Sequence, residues 1–215
     1  MDTIVILDFG SQVTQLIARR LRAMKYHAEI VPYFAKASQG KPFSDPSIKG
    51  IILSGGPSSV YAKNGALPDP GIFELGKPIL GICYGIQVLA HMLGGRVKKG
   101  VKREYGRTTI KRVSDTLFAG TSKKQIVWMS HFDIVTRLPK GFKTIGYSST
   151  SPHAAIADIK RHFYGVQFHL EVAHTEYGTK ILENFAKICG MRAQWTSHVA
   201  LDHAMSSIQT IVKNG

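Results

Sequence analysis

The run Gly81-Ile82-Cys83-Tyr84-Gly85 is the sharpest chemical signal in the chain. An apolar stretch from Pro78 to Ile82 leads into it, and the helically spaced residues Ile86, Leu89, Ala90 and Leu93 follow. This is the G-x-nucleophile-x-G elbow of α/β enzymes with Cys in the place of Ser. Glycine on either side lets the chain turn sharply from strand to helix, so that Cys83 projects where a substrate can reach it. A helix N-terminus also favours the thiolate, the nucleophilic form of the side chain. Without those flanks the same residue would read as a small buried core side chain.

A thiol nucleophile needs a base. Of the nine histidines, His169 stands in the most suggestive frame, Val166-Gln167-Phe168-His169-Leu170-Glu171, at the end of an apolar run. In extended chain residues i and i+2 point the same way, so Glu171 can lie beside His169, orient its imidazole and stabilise the charged form. Taken alone, an H-x-E pair is more often a surface couple; the cysteine elbow gives this one its meaning. Acyl transfer also requires N–H donors for the oxyanion. The turn Ser54-Gly55-Gly56-Pro57-Ser58 offers the backbone N–H of Gly56 to pair with that of Tyr84. The turn comes close to the phosphate loop S-G-G-x-D-S, but Ser58 stands where that loop has Asp, which argues against ATP binding by this chain.

These groups must be carried by elements that the hydrophobic pattern predicts. Thr3 to Asp8 reads as a buried strand, and Val13, Leu16, Ile17, Leu21 and Met24 place a helix over Gln12 to Met24. Further strands are expected at Glu29 to Val31, Gly50 to Leu53 and Pro78 to Ile82, the last ending at Cys83. Apolar strands alternating with helices predict an α/β fold with a mostly parallel central sheet and helices on both faces. After Gly95 the character changes. Thr108 to Val113, Gln125 to Met129, Phe142 to Tyr147 and Phe163 to Phe168 are rich in β-branched and aromatic residues and predict mostly antiparallel strands. An amphipathic helix is expected from about Glu176 to Cys189, closed by Gly190.

A chain of 215 residues, 44% hydrophobic, buries one substantial core, so a single catalytic domain is expected over 1–194. Residues 195–215 are polar and mildly helical, and read as a linker or the first helix of something further. The first ten residues hold an acid at position 2 and a short apolar run, neither signal peptide nor anchor, and no later stretch is long enough to span a membrane. Two cysteines are too few for a disulfide framework in a domain of this size, and a cytoplasmic setting is expected. The net charge of +14 attracts phosphates, nucleic acids or an acidic protein face. Arg96 to Arg112 carries eight basic residues against one acid, but Tyr105 is its one aromatic residue, and a single-strand binding groove would interleave several. A solvated hairpin surface is the favoured reading there, and no nucleic-acid partner is expected.

The elbow with Ile86 and Gln87, the Ser-Gly-Gly-Pro turn and the His169/Glu171 pair together resemble the class I, triad-type glutamine amidotransferases. Asp8-Phe9-Gly10-Ser11-Gln12, Arg103-Glu104-Tyr105-Gly106, Trp128-Met129-Ser130-His131-Phe132-Asp133 and His174-Thr175-Glu176-Tyr177-Gly178 narrow the resemblance to the amidotransferase half of the GMP synthetases. The resemblance runs from residue 3 to about 196 and implies a flavodoxin-like fold. It also implies a glutaminase in which Cys83 forms a γ-glutamyl thioester, His169 moves the protons, and Glu171 orients His169. Gln87, Ser130, His131, Phe132 and Asp133 would hold the amino-acid end of L-glutamine, with the Asp133 carboxylate facing its ammonium. No cofactor or metal is implied in this chain. ATP and Mg belong to an ATP-pyrophosphatase domain that would follow or be a separate subunit, in an enzyme expected to be a homodimer acting on XMP. The chain departs from the family pattern at Leu170, where Pro is usual, and at Phe132, where a small or polar residue is usual. Loss of the proline removes a φ restraint and predicts a looser His169–Glu171 strand end. The competing readings are an amidotransferase serving another synthase, a γ-glutamyl hydrolase, and, from a different class, a basic nucleic-acid-binding module.

Overall fold

A computed structural model describes residues 1–35, 43, 45–113, 116–196, 199, 201 and 205. The first half is a parallel α/β unit. Strands β1 (Thr3–Asp8), β2 (His27–Pro32), β3 (Ile48–Leu53) and β4 (Ile79–Ile82) alternate with helix α1 (Thr14–Ala23), a short 3-10 helix (Pro70–Glu74) and helix α2 (Tyr84–Met92). The second half supplies β5 (Arg96–Arg112), β6 (Lys124–Arg137), β7 (Lys143–Tyr147), β8 (Ala155–Asp158), β9 (Phe163–Val166) and helix α3 (Gly178–Ile188). All nine strands join one sheet in the order β2-β1-β3-β4-β9-β8-β7-β5-β6. The first five in that order run parallel, whereas β8, β7, β5 and β6 are joined antiparallel.

Alternation along β1 shows how the sheet is covered. Ile4 and Ile6 pack with Ile17 and Leu21 of α1 and Leu182 and Phe185 of α3, while Val5 and Leu7 pack with Ile86 and Leu89 of α2 on the other face. A strand buried on both faces must be apolar at every position, which is why Thr3–Asp8 gives a continuous run rather than an alternating one. Among the described residues no helix is long and apolar enough to cross a membrane.

Three features differ from the sequence expectation. Ala155–Asp158 is a fully buried strand that the hydrophobic pattern does not predict, its four residues being too few to show a period. Arg96–Arg112 is one long strand, where the sequence predicts a strand only from Thr108, and it forms an antiparallel hairpin with β6. Its register slips between Lys99 and Glu104, leaving Gly100 to Arg103 as a bulge opposite Phe132. Finally, β6 runs on past Met129 to Arg137, which places Ser130 to Asp133 inside a strand. Of the 195–215 segment, Trp195 is anchored to the domain, donating its backbone N–H to Lys25 O at 2.8 Å and stacking on His27. Thr196 is exposed, positions 199, 201 and 205 are helical, and residues 197–198, 200, 202–204 and 206–215 lie outside the described residues.

Candidate active site

The loops that leave the C-terminal ends of β1, β3, β4 and β9 meet on one edge of the sheet, the place where open α/β sheets bind ligands. Cys83 follows β4 directly and adopts φ +55° and ψ −103°, an uncommon conformation for a side-chain-bearing residue. The flanking glycines make the turn possible by size. A Cβ on Gly81 would lie 2.4 Å from the backbone of Gly85, and one on Gly85 would lie 2.1 Å from Leu53 O. The Cys83 N–H extends the β4–β9 ladder by donating to Val166 O at 2.8 Å. Its Sγ lies 3.6 Å from Ser130 O.

β9 pairs with β4, so its exit loop carries His169 to the elbow. His169 Nδ1 lies 2.6 Å from Glu171 Oε1, and both residues are buried. Burial opposes a charge on His169, yet hydrogen bonds and charge from Cys83 on one side and Glu171 on the other outweigh it and push the imidazole up to about 10. The arrangement therefore favours an imidazolium poised between the Cys83 sulfur and a carboxylate, able to give a proton to a leaving group and then, as the neutral ring, to take one from water.

Sequence-distant residues fasten this pair. The His169 N–H donates to Trp128 O at 3.0 Å, and Thr175 Oγ1 donates to His169 O at 2.6 Å while accepting from the Trp128 N–H at 3.1 Å. The Arg20 Nε of α1 donates to Glu171 O at 2.6 Å, and another of its nitrogens reaches Thr179. Leu170, between the two triad members, is fully buried in the core under the sheet. It packs the strand end into the core, a restraint of a different kind from the fixed φ of a proline.

The Ser54 to Ser58 turn faces His169 and the elbow. Gly55 lies so close that a Cβ there would be 3.4 Å from His169 Cε1, and a Cβ on Gly56 would lie 2.8 Å from Phe9 O and 3.2 Å from Tyr84 Cδ1. The Tyr84 N–H sits in the first turn of α2, where amides have no intrahelical acceptor. The Tyr84 phenol points away, donating to Ala66 O at 2.9 Å, and burial pushes it up to about 12. Only the backbone of Tyr84 is thus offered to an oxyanion. The Asp8 to Gln12 loop buttresses the turn, with the Phe9 N–H on Ser54 Oγ and Thr14 Oγ1 on Asp8.

A cavity of about 950 Å³ opens over these groups, lined among others by Gly56, Cys83, Tyr84, Gln87, His169 and every residue from Ser130 to Asp133. Gln87 is buried and donates to Asp133 O at 2.9 Å. Asp133 accepts from Ser59 Oγ at 2.5 Å and from the Tyr61 hydroxyl at 2.7 Å. His131 is buried against Glu104, 2.7 Å from its carboxylate. Phe132 carries Lys99 Nζ 4.9 Å above its ring. Among the described residues no group of His, Cys, Asp or Glu comes together as metal ligands. The ten residues singled out from the sequence are thus gathered in one place, with Glu171 behind His169.

Sequence reasoning missed Ser59, Tyr61, Glu104, Arg20 and Thr175. Glu104 and Thr175 lie in motifs that marked the resemblance but gave no role. Tyr61 and Arg20 left no signal, because their partners stand 72 and 151 positions away.

The profile of the family described as "Glutamine amidotransferase class-I" matches residues 5–189. The chain is 49% identical over its full length to the glutamine-hydrolysing GMP synthase of Thermosipho melanesiensis, covering 41% of that protein. It is 54% identical over 89% of its length to that of Campylobacter hominis, covering 37%. It therefore spans about two fifths of the length of these curated relatives. Among solved structures, one described as a GMP synthase subunit from Thermoplasma acidophilum superposes with a TM-score of 0.76 at 31% identity, over 88% of this chain and 94% of that one. A glutamine amidotransferase of Thermotoga maritima shares the fold, with a TM-score of 0.66 at 21% identity over 87% and 81%. A family profile that spans the elbow, the oxyanion turn and the His–Glu pair alike places this chain in the class-I glutamine amidotransferase family.

Proposed function

We propose that this chain is the glutaminase part of a GMP synthetase. The observation that carries the reading is Cys83 at the apex of a strained elbow, beside a buried His169 whose Nδ1 lies 2.6 Å from the Glu171 carboxylate. Cys83 Sγ, as the thiolate whose proton His169 holds, attacks the carboxamide carbon of L-glutamine, and the oxyanion is received by the N–H groups of Gly56 and Tyr84. The tetrahedral adduct collapses, the C–N bond breaks, and His169 gives its proton to the departing ammonia. A γ-glutamyl thioester remains. Water that has lost a proton to the now neutral His169 then cleaves it, releasing glutamate and restoring the Cys83 thiolate beside a protonated His169. Gln87, Ser130, His131, Phe132 and Asp133 form the end of the cavity that receives the amino-acid group.

The ammonia serves the ATP-dependent amination of XMP to GMP on an ATP-pyrophosphatase domain, in the same chain or as a separate subunit, with residues 195–215 leading towards it. That domain binds ATP and Mg; this one needs no cofactor. The whole enzyme is read as a homodimer of the cytoplasm. Support comes from the GMP synthases it resembles, each more than twice its length, and from the basic face of β5, which suits an acidic docking partner.

The test is glutamate release by the chain alone and with a synthetase domain, ATP and XMP. Slow basal hydrolysis accelerated by the partner is expected. Cys83→Ala should abolish it, whereas Cys189→Ala, a buried thiol whose desolvation drives its titration far upward, should retain it. Full activity without response to the partner would mark a self-sufficient glutaminase.

A further inference from the structure

Asp133 is a buried carboxylate that forms no ion pair among the described residues. Burying such a charge is costly unless donors surround it. Two hydroxyls do so: Ser59 Oγ donates to Oδ2 at 2.5 Å and the Tyr61 hydroxyl donates to Oδ1 at 2.7 Å. Both come from the turn that continues the oxyanion segment, closed by the Ala62 N–H on Ser59 O and pinned by the buried Val60. Gln87 meanwhile holds the Asp133 backbone carbonyl.

One hydroxyl on each oxygen fixes the plane of the carboxylate. An ionised carboxylate offers about four acceptor sites, so each oxygen keeps capacity for a further donor, and Asp133 lines the cavity. The donor the site lacks is a cation. The hydrogen bond to Asp133 raises the Tyr61 phenol above its ordinary value, as expected of a hydroxyl that donates to a carboxylate. The Tyr61 ring is 51% exposed, so deleting its hydroxyl removes the Asp133 contact while leaving the core untouched.

We propose that Tyr61, with Ser59, is a positioning residue that holds the Asp133 carboxylate in the orientation read by a substrate α-ammonium group, and so sets selectivity for α-amino acids. This rests on the reading of the cavity as a glutamine site. It predicts that the contribution of Tyr61 disappears when the substrate has no ammonium to read.

Steady-state hydrolysis of L-glutamine and of its deamino analogue, 4-carbamoylbutanoate, would be measured for the wild-type chain, Tyr61→Phe, Ser59→Ala and Asp133→Asn. A hydrogen bond to a charged group supports a rise of about tenfold in KM for glutamine in Tyr61→Phe, with kcat within about twofold and KM for the analogue unchanged. Glutamine affinity in the Cys83→Ala background, by calorimetry, should fall by the same factor when Tyr61→Phe is added. An unchanged KM for glutamine, or an equal rise for both substrates, would overturn the proposal and leave Tyr61 as a loop support. Wild-type protein that fails to prefer glutamine over the analogue would overturn the glutamine reading as well, and that result is distinguishable because it appears before any substitution.

Discussion

Replacing Glu171 by Gln removes one negative charge from the His169 pair while keeping its shape and a carbonyl acceptor. The two side chains approach to 2.6 Å, and Glu171 is 2% exposed. A charge pair about 4 Å apart at an effective dielectric of about 20 is worth roughly 4 kcal/mol, and because the pair is formed before the reaction as well as during it, about 10³-fold is the upper bound on the loss of rate. His169→Ala removes the proton carrier itself and should cost more, about 10⁴-fold or beyond. The same pair carries a stability signature. The His169 imidazole is raised from 6.5 to about 10, so its stabilising effect is fully present below 6.5 and lost as pH climbs through about 10. The full rise is worth on the order of 5 kcal/mol. Because Cys83 and Glu171 both support the charge against burial, Glu171→Gln should forfeit on the order of 2 kcal/mol of it. Glutamate release would give the rates, and urea unfolding at pH 6.5 and pH 10 the stabilities. A Glu171→Gln variant slower than His169→Ala, or a stability gap that widens with pH, would refute the reasoning.

Other substitutions probe the scaffold. Leu170→Pro restores the residue usual in the family but empties a fully buried position; a loss of roughly 2–4 kcal/mol is expected, read from denaturant unfolding. Gly85→Ala drives a Cβ to 2.1 Å from Leu53 O, and should leave little soluble, folded protein by circular dichroism. Thr175→Val frees the N–H of Trp128 and the carbonyl of His169 together; roughly 1–3 kcal/mol of stability should go, with a fall in kcat larger than any rise in KM. Lys98 and Lys102 are exposed on β5, whereas Lys99 sits over Phe132 and is left in place. Replacing the first two by Glu should weaken acceleration by a synthetase domain at low salt and leave basal glutamate release unchanged.

The chemistry was legible in the sequence because its signals are local. A strand, two glycines and a cysteine within a few positions define an elbow, and the period of two along a strand sets Glu171 beside His169. Continuous apolar runs marked the parallel strands for the same reason, since each is buried on both faces. What tertiary structure alone decided is everything that crosses between elements. The pairing of β4 with β9 brings His169 to Cys83 from more than eighty positions away. The clamp of Arg20 on Glu171, the hydroxyls of Ser59 and Tyr61 on Asp133, and the Glu104–His131 pair are likewise contacts between distant segments. Leu170 shows the limit most clearly, because the sequence shows only that a proline is missing, and its place in the core is visible only in the tertiary structure. A sequence records which side chains a strand presents; which neighbour they meet is fixed by the order of the strands in the sheet.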